Sequence, residues 1–300
     1  MSLHLVAVNY RSAGDVPPLV ASLARQDCPD WTLTLVDNSE DPAEPARLTA
    51  VVDGQAGCSV LAAPRNLGYL NALPFAADAM PDLQESDWLG LCNVDLTIES
   101  TDFVRRLVGG QGAAGAQDTG ALAPAVVSDR TGLDQNPHLR SRPGLVALIK
   151  WRVMFASVDV ARVTVWLIGK VGSLFARGDA PPRTPARSGP AAVEQIYAPH
   201  GSILLFSPAY RRAGGALGHP VFLFGEEITV AEECREHGLA VRYDPSFRVI
   251  HREHASTGLW RSRTIIGYQK QSADYIVRRL TGGAGLTGLL RSRLARLLRR

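Results

Sequence analysis

Asn93 and Asp95 follow directly on the apolar run Trp88 to Cys92, which has the length of one buried strand. A buried strand that ends in a carboxylate delivers it to the rim of a sheet, and in open α/β sheets ligands sit outside the carboxyl ends of the strands. An aspartate at such a point can hold a hard divalent cation, which can in turn hold a diphosphate. The same residues could equally punctuate a turn, so the reading depends on what else reaches that rim. Two further strands end in the same residue types. Leu3 to Val8 runs into Asn9 and Tyr10, and Thr32 to Val36 runs into Asp37. Far along the chain, Gly225 precedes Glu226 and Glu227 at the start of a helix, where the macrodipole favours carboxylates. Adjacent helical residues point about 100° apart, so only one of the two acids faces a given ligand. His251 follows the strand Phe247 to Ile250, where an imidazole can take part in metal or proton chemistry.

These residues need a scaffold, and the apolar pattern supplies one. Strands over 3–8, 32–36, 59–62 and from Trp88 alternate with helices over 16–25, 45–52 and 69–79, with Asp15 as N-cap of the first. Alternation of this kind implies βαβ units and a largely parallel sheet flanked by helices. A helix over 101–107, a strand over 121–127, a strand over 201–206 and a short helix over 208–213 follow. Gly238 ends the helix that Gly225 opens, strands cover 240–243 and 247–250, and helices cover 262–280 and 286–300. Between about 128 and 196 the pattern changes to an insertion. It holds a polar loop over 134–143, an apolar stretch over 145–177 and a Pro/Arg-rich stretch over 179–190. On a helical wheel Arg152, Asp159, Arg162, Lys170 and Arg177 share one face of the apolar stretch. The chain therefore divides into an α/β domain over 1–260, insertion included, and a helical tail over 261–300.

Composition sets limits. The 300 residues are 46% hydrophobic and 20% charged, with formal net charge +3. Ten bases and the single acid Asp274 lie from Arg261 onward, so the tail carries +9 and the first 260 residues −6. A basic tail whose leucines form one stripe suits an anionic membrane surface, although such a stripe also packs on protein. Cys28, Cys58, Cys92 and Cys234 are far apart with no CxxC pair, against a zinc site or a disulfide framework and in keeping with a reducing cytosol. The N-terminus reads as a strand rather than a signal peptide, and no apolar run reaches about 18 residues. The first strand is followed by neither GxGxxG nor GxxxxGK[ST], which excludes the usual dinucleotide fingerprint and the P-loop. The absence of a glycine-rich basic loop there also disfavours a sugar nucleotidyltransferase. Nothing in the pattern suggests nucleic acid as a partner.

Five segments in order carry a family resemblance: Val8 to Ser12, Val36 to Ser39, Arg65 to Tyr69, Leu91 to Asp95, and Phe222 to Ile228 with His251 twenty-four residues after Glu227. Together they resemble family 2 glycosyltransferases of the GT-A fold, in particular a rhamnosyltransferase-like branch. The resemblance spans residues 3 to 256. It implies a Rossmann-like central sheet and transfer of a sugar from a nucleotide-diphosphate donor, a UDP-hexose or dTDP-rhamnose, to a hydroxyl of a glycan or lipid-linked acceptor. It implies Asn9 and Tyr10 as pocket wall, Asp37 on the base or ribose, and Asn66 and Gly68 beside the nucleotide. Asn93 would contact ribose or phosphate. Asp95 and His251, with His254 as the alternative histidine, would hold Mn²⁺ or Mg²⁺. Glu227 would be the catalytic base of a single inverting displacement. The sequence departs from the family pattern at Val94, where proline is usual, at Glu227, where aspartate is usual, and at Thr229, where a further acid is common. These expectations place the protein in cell-surface polysaccharide synthesis, in the cytoplasm or peripheral on the inner membrane face, with a homodimer as a further arrangement. The alternative is a non-catalytic GT-A-like subunit that binds a partner or membrane.

Overall fold

The computed structural model describes residues 1–163, 192–253 and 262–283. Its described strands form one nine-stranded sheet. The first half is parallel and built from the βαβ units that the apolar alternation dictates. It comprises β1 (Leu3–Asn9), α1 (Pro17–Ala24), β2 (Trp31–Asp37), α2 (Glu44–Val52), β3 (Cys58–Ala62), α3 (Ala72–Ala77) and β4 (Trp88–Asn93), ordered β3-β2-β1-β4. Alternate residues of β1 serve opposite faces: Leu3, Leu5 and Ala7 join one core, and Val6 joins the other. A sheet buried on both sides needs such near-continuous apolar strands.

The second half is mixed. It contains β5 (Leu96–Ile98), α4 (Phe103–Val108), β6 (Thr119–Ser128), α5 (Leu145–Met154), β7 (Glu194–Ile196), β8 (Ile203–Phe206), α6 (Pro208–Arg212), α7 (Glu226–Glu236), β9 (Ala240–His251) and α8 (Arg263–Leu280). β8 lies antiparallel between β4 and β6, β6 runs parallel to β9, and β5 and β7 pair antiparallel with β9. β5 and β7, of three residues each, are too short to show a period, and sequence reading passes over them. The two strands read over 240–243 and 247–250 are one strand. Its register against β6 slips between Asp244 and Arg248, and the Asp244 carboxylate takes the Ser246 backbone N–H at 3.0 Å across the slip.

Three helix readings change. α1 begins at Pro17, whose missing N–H is no loss in a first turn, so Asp15 sits in a preceding 3₁₀ turn rather than capping it. α3 is confined to Ala72–Ala77. α5 stops at Met154, and the Ser157 hydroxyl accepts from Val160 N at 3.1 Å as a new turn starts. The helical wheel drawn to Arg177 therefore breaks here. Lys170, Arg177, the Pro/Arg-rich stretch, His254 and the helix read over 286–300 lie outside the described residues. No described helix is long and apolar enough to cross a membrane. α8 packs on α5 and α7 through Leu148, Ile228, Ile276, Val277 and Leu280, so the first part of the basic tail is docked on the body.

Candidate functional site

Parallel register brings the strand-end polar residues together: Asn9 pairs with Asp37, and Val8 pairs with Asn93. Asn9 is fully buried beneath this rim. Its Nδ2 donates to Asp37 Oδ1 (3.1 Å), Ser39 Oγ (3.2 Å) and Glu44 Oε1 (3.1 Å), and its Oδ1 accepts from Ser12 N (3.1 Å). With every polar atom used, Asn9 fixes the two loops above it. Asp37 Oδ1 also accepts from Ser39 N and Oγ at 3.1 and 2.5 Å. Burial works to raise the Glu44 carboxyl, but hydrogen bonds from Asn9, Arg47 and Ala13 outweigh it and hold the group below its usual value. Tyr10, 51% exposed, stands free on the rim with the Arg11 guanidinium 5.5 Å from its ring centre.

The Asn66–Gly68 loop is tied to the same edge. Asn38 Nδ2 donates to the Gly68 carbonyl at 2.6 Å, and Gly68 N donates to Asn66 Oδ1 at 3.0 Å. Gly68 has φ +82°, and a Cβ there would collide with the Phe222 carbonyl oxygen. Only glycine lets this loop press against the segment that leads to Glu226.

Asp95 and His251 are distant in sequence and adjacent in space. β5 pairs Leu96 with His251, and Arg252 N donates to the Asp95 carbonyl at 2.9 Å. His251 Nε2 then lies 3.5 Å from Asp95 Oδ1. The other ring nitrogen, Nδ1, is 2.8 Å from Gln135 Oε1, and Gln135 Nε2 donates to Glu253. The Glu253 carboxylate fixes the amide so that its oxygen faces the ring, and Nδ1 must donate. In the neutral ring the Nε2 lone pair therefore points at Asp95 Oδ1, a buried atom with no hydrogen-bond partner. Two electron-rich atoms facing each other suit a cation between them, and a ligating histidine that donates its far N–H to a fixed acceptor is the usual support. No group of three or more His, Cys, Asp or Glu is placed to hold a metal among the described residues. Further ligands would have to come from a bound diphosphate or water, as is common for Mg²⁺-type sites.

His200 extends this centre. Its ring stands edge-on to that of His251 with centroids 6.0 Å apart, and its Nδ1 accepts from Ser202 N at 3.2 Å. Burial, then the neighbouring His251 and His138, push it down to about 3, so it is neutral at working pH. Between His200 and Ser202, Gly201 leaves room for the Glu227 carboxylate, whose Oε1 would sit 2.6 Å from a Cβ at that position.

Glu226 and Glu227 open α7 behind two successive left-handed residues, Phe224 (φ +70°) and Gly225 (φ +88°). The non-glycine member is strained by about 1–2 kcal/mol. Glu226 Oε2 is buried without a partner, and desolvation, then the Glu227 charge, raise Glu226 to about 8. A helix N-terminus stabilises a carboxylate by about 0.3–1 kcal/mol, less than one pKa unit, so desolvation wins at Glu226. Glu226 is therefore a neutral acid near pH 7. Tyr69, which donates to the Ser202 carbonyl at 3.3 Å, is lifted well above its usual value by burial and then by Cys92, Glu226, Glu227 and Asp95. Its hydroxyl thus marks where the α7 acids and Asp95 converge.

No family model matches the sequence, and no curated protein matches it. Solved structures do. The chain resembles the crystal structure of GalNAc-T7 with UDP, GalNAc and Mn²⁺ over 85% of its length, with TM-score 0.57 and 14% identity, and it spans 44% of that chain. It also resembles the mannosyltransferase PcManGT from Pyrobaculum calidifontis in complex with GDP-Man and Mn²⁺. That likeness covers 99% of this chain and 80% of the other, with TM-score 0.50 and 12% identity. The fold is GT-A. Within it, sequence reading brought Asn9, Asp37 and Asn93 to one edge and the pair Asp95 and His251 to one point. It assigned no role to Tyr69, Gln135, Gly201, Ser202, Glu253, His200 or His219. Only the pairing of distant strands and loops shows what those residues face.

Proposed function

We propose that the chain is an inverting glycosyltransferase that moves a sugar from a nucleotide-diphosphate sugar, a UDP-hexose or dTDP-rhamnose, to a hydroxyl of a glycan or lipid-linked acceptor in cell-surface polysaccharide synthesis. The observation that carries this reading is the pairing of His251 Nε2 with the orphaned Asp95 Oδ1, on the rim that also receives Asp37, Tyr10 and the α7 acids. Tyr10 offers an exposed ring to the base, Asp37 the base or ribose contact, and the Asn66–Gly68 loop backbone groups beside the nucleotide. Asn93 lies next to the diphosphate position. Asp95 and His251 would hold Mn²⁺ or Mg²⁺, which when bound neutralises the charge that builds on the leaving diphosphate. Glu227, beside Glu226, takes the proton of the acceptor hydroxyl. The acceptor oxygen forms its bond to the anomeric carbon as the bond to the diphosphate breaks. One displacement inverts the configuration.

The same reading favours an anionic membrane as the acceptor's surroundings. Val146, Ile149 and Val153 point outward on α5, 67%, 36% and 63% exposed, with Lys150 beside them. An apolar row with basic neighbours suits a bilayer interface. The test of the function is a panel of nucleotide sugars incubated with the protein and Mn²⁺ or Mg²⁺, with release of nucleoside diphosphate measured and the product's anomeric configuration read by NMR. Release from one donor with inversion supports the proposal, and no release from any donor with either ion and glycan or polyprenyl acceptors contradicts it.

A further inference from the structure

The turn that ends at Glu226 and Glu227 is held from behind by hydrogen bonds whose direction can be worked out atom by atom. His219 is buried, and burial lowers its pKa despite the Phe224 contact, so the ring is neutral near pH 7 and carries one proton. Its Nε2 lies 3.0 Å from the Phe224 carbonyl oxygen, which can only accept, so the proton is on Nε2. Nδ1 must then accept, and Thr229 Oγ1 lies 2.9 Å from it. The Gly225 carbonyl, which accepts Thr229 N at 3.0 Å, is also 3.2 Å from the hydroxyl, but Nδ1 is nearer and can only accept, so it takes the Thr229 proton. The Tyr275 hydroxyl lies within hydrogen-bond reach of Thr229 Oγ1, at 3.3 Å, and extends the chain to a further helix. Tyr275 belongs to α8, and its ring meets that of His219 edge-on at 5.2 Å. Ser272 Oγ and Ile276 of the same helix sit 2.6 and 2.9 Å from where a Gly225 Cβ would be. His219 N donates to Asn71 Oδ1 at 2.7 Å, which joins the turn to the start of α3 and so to the nucleotide-side loop.

Phe224 and Gly225 both adopt left-handed backbone, which is strained for a non-glycine residue such as Phe224. The chain Tyr275 to Thr229 to His219 to the Phe224 carbonyl grips the strained residue at one end and a separate helix at the other. We propose that His219, Thr229 and Tyr275 are positioning residues that hold the Phe224–Gly225 turn and so aim the Glu227 carboxylate at the acceptor hydroxyl. Thr229 occupies the place where relatives of the resembled family commonly carry a further acid, and here its hydroxyl joins the turn to α8. By this account α8 is part of the active-site framework rather than of a detachable tail. The inference rests on Glu227 as the base.

Thr229→Val removes the hydroxyl at nearly constant volume, and Thr229→Ser restores it. In full-length protein, Thr229→Val lowers kcat about 10-fold, since misplacement of a reacting group by under 1 Å is costly. KM for the donor stays within about 2-fold, because donor contacts lie on other strands. Thr229→Ser recovers kcat. Two NMR readouts need no turnover. The His219 ¹⁵N shifts report the Nε2–H tautomer, and the carboxyl ¹³C titrations of Glu226 and Glu227 move in Thr229→Val but not in Thr229→Ser. A His219 Nδ1–H tautomer, or unchanged titrations and kcat in Thr229→Val, overturns the proposal. If the parent protein turns over no nucleotide sugar, the function falls while the carboxyl titrations still decide whether these residues position the pair.

Discussion

Glu227→Gln removes one proton acceptor while leaving the side chain the same length over Gly201. General-base assistance is worth about 10²–10⁴ in rate, or about 3–5 kcal/mol of barrier at 1.36 kcal/mol per decade. The neighbouring acid cannot substitute. Burial is the larger cause that raises Glu226 and it persists when the Glu227 charge is gone, so Glu226 remains a poorer proton acceptor in the variant. It also points about 100° away around the helix. The full loss is therefore expected: kcat falls at least about 100-fold, with donor affinity by calorimetry unchanged within about 2-fold. Glu226→Gln should keep most of the activity at pH 7 and abolish any change in kcat between pH 7 and 9 that follows Glu226 ionisation. Near-normal turnover in Glu227→Gln, with collapse in Glu226→Gln, would refute the assignment. Lost donor affinity in Glu227→Gln would make the residue part of the donor pocket instead.

Other expectations follow from single contacts. Gln135→Leu leaves His251 Nδ1 without its acceptor and should weaken Mn²⁺-dependent nucleotide binding about 10–100-fold by calorimetry, with ion-free binding unchanged. Gly68→Ala forces a Cβ onto the Phe222 carbonyl at φ +82° and should lower unfolding free energy in urea by about 2–4 kcal/mol while impairing donor binding. Arg142 grips the fully buried Glu232 with two hydrogen bonds of 2.8 Å, and Arg235 and Tyr197 hold the same carboxylate. Arg142→Ala should destabilise by about 2 kcal/mol, below the 3–5 typical of a lone buried pair, because two partners remain. Burial opposes ionisation of Glu232, but these partners hold it down at about 2 against an ordinary 4.5. A depressed carboxylate contributes stability above its unfolded pKa and loses it as pH falls towards the folded one. The gap between parent and Arg142→Ala in urea should therefore narrow from pH 4.5 to pH 2.

The parallel half of the sheet was legible because its strands are buried on both faces and read as short apolar runs between turn residues. The strand-end positions of Asn9, Asp37 and Asn93 followed from the same runs. β5 and β7 were not legible, since three residues show no period, yet β5 is what carries Asp95 to His251. The second half of the sheet was harder for a related reason: β8 inserts between β4 and β6, a crossover that no local pattern announces. The family resemblance implies Asn9 as pocket wall. The structure buries it because Glu44, thirty-five residues on, supplies an acceptor that the sequence does not link to it. The raised pKa of Glu226 is not legible in sequence, because helix position is visible there and desolvation is not.

Asp95 and His251 are proposed to hold a divalent ion that in turn holds a nucleoside diphosphate. The most direct measurement is calorimetric titration of UDP, GDP and dTDP into the protein with and without Mn²⁺, repeated with Asp95→Asn. The account predicts that one of the three binds strongly only with Mn²⁺, and that Asp95→Asn reduces this binding at least about 10-fold with the fold intact. Equal binding with and without the ion, full affinity in Asp95→Asn, or no binding of any of the three would contradict it.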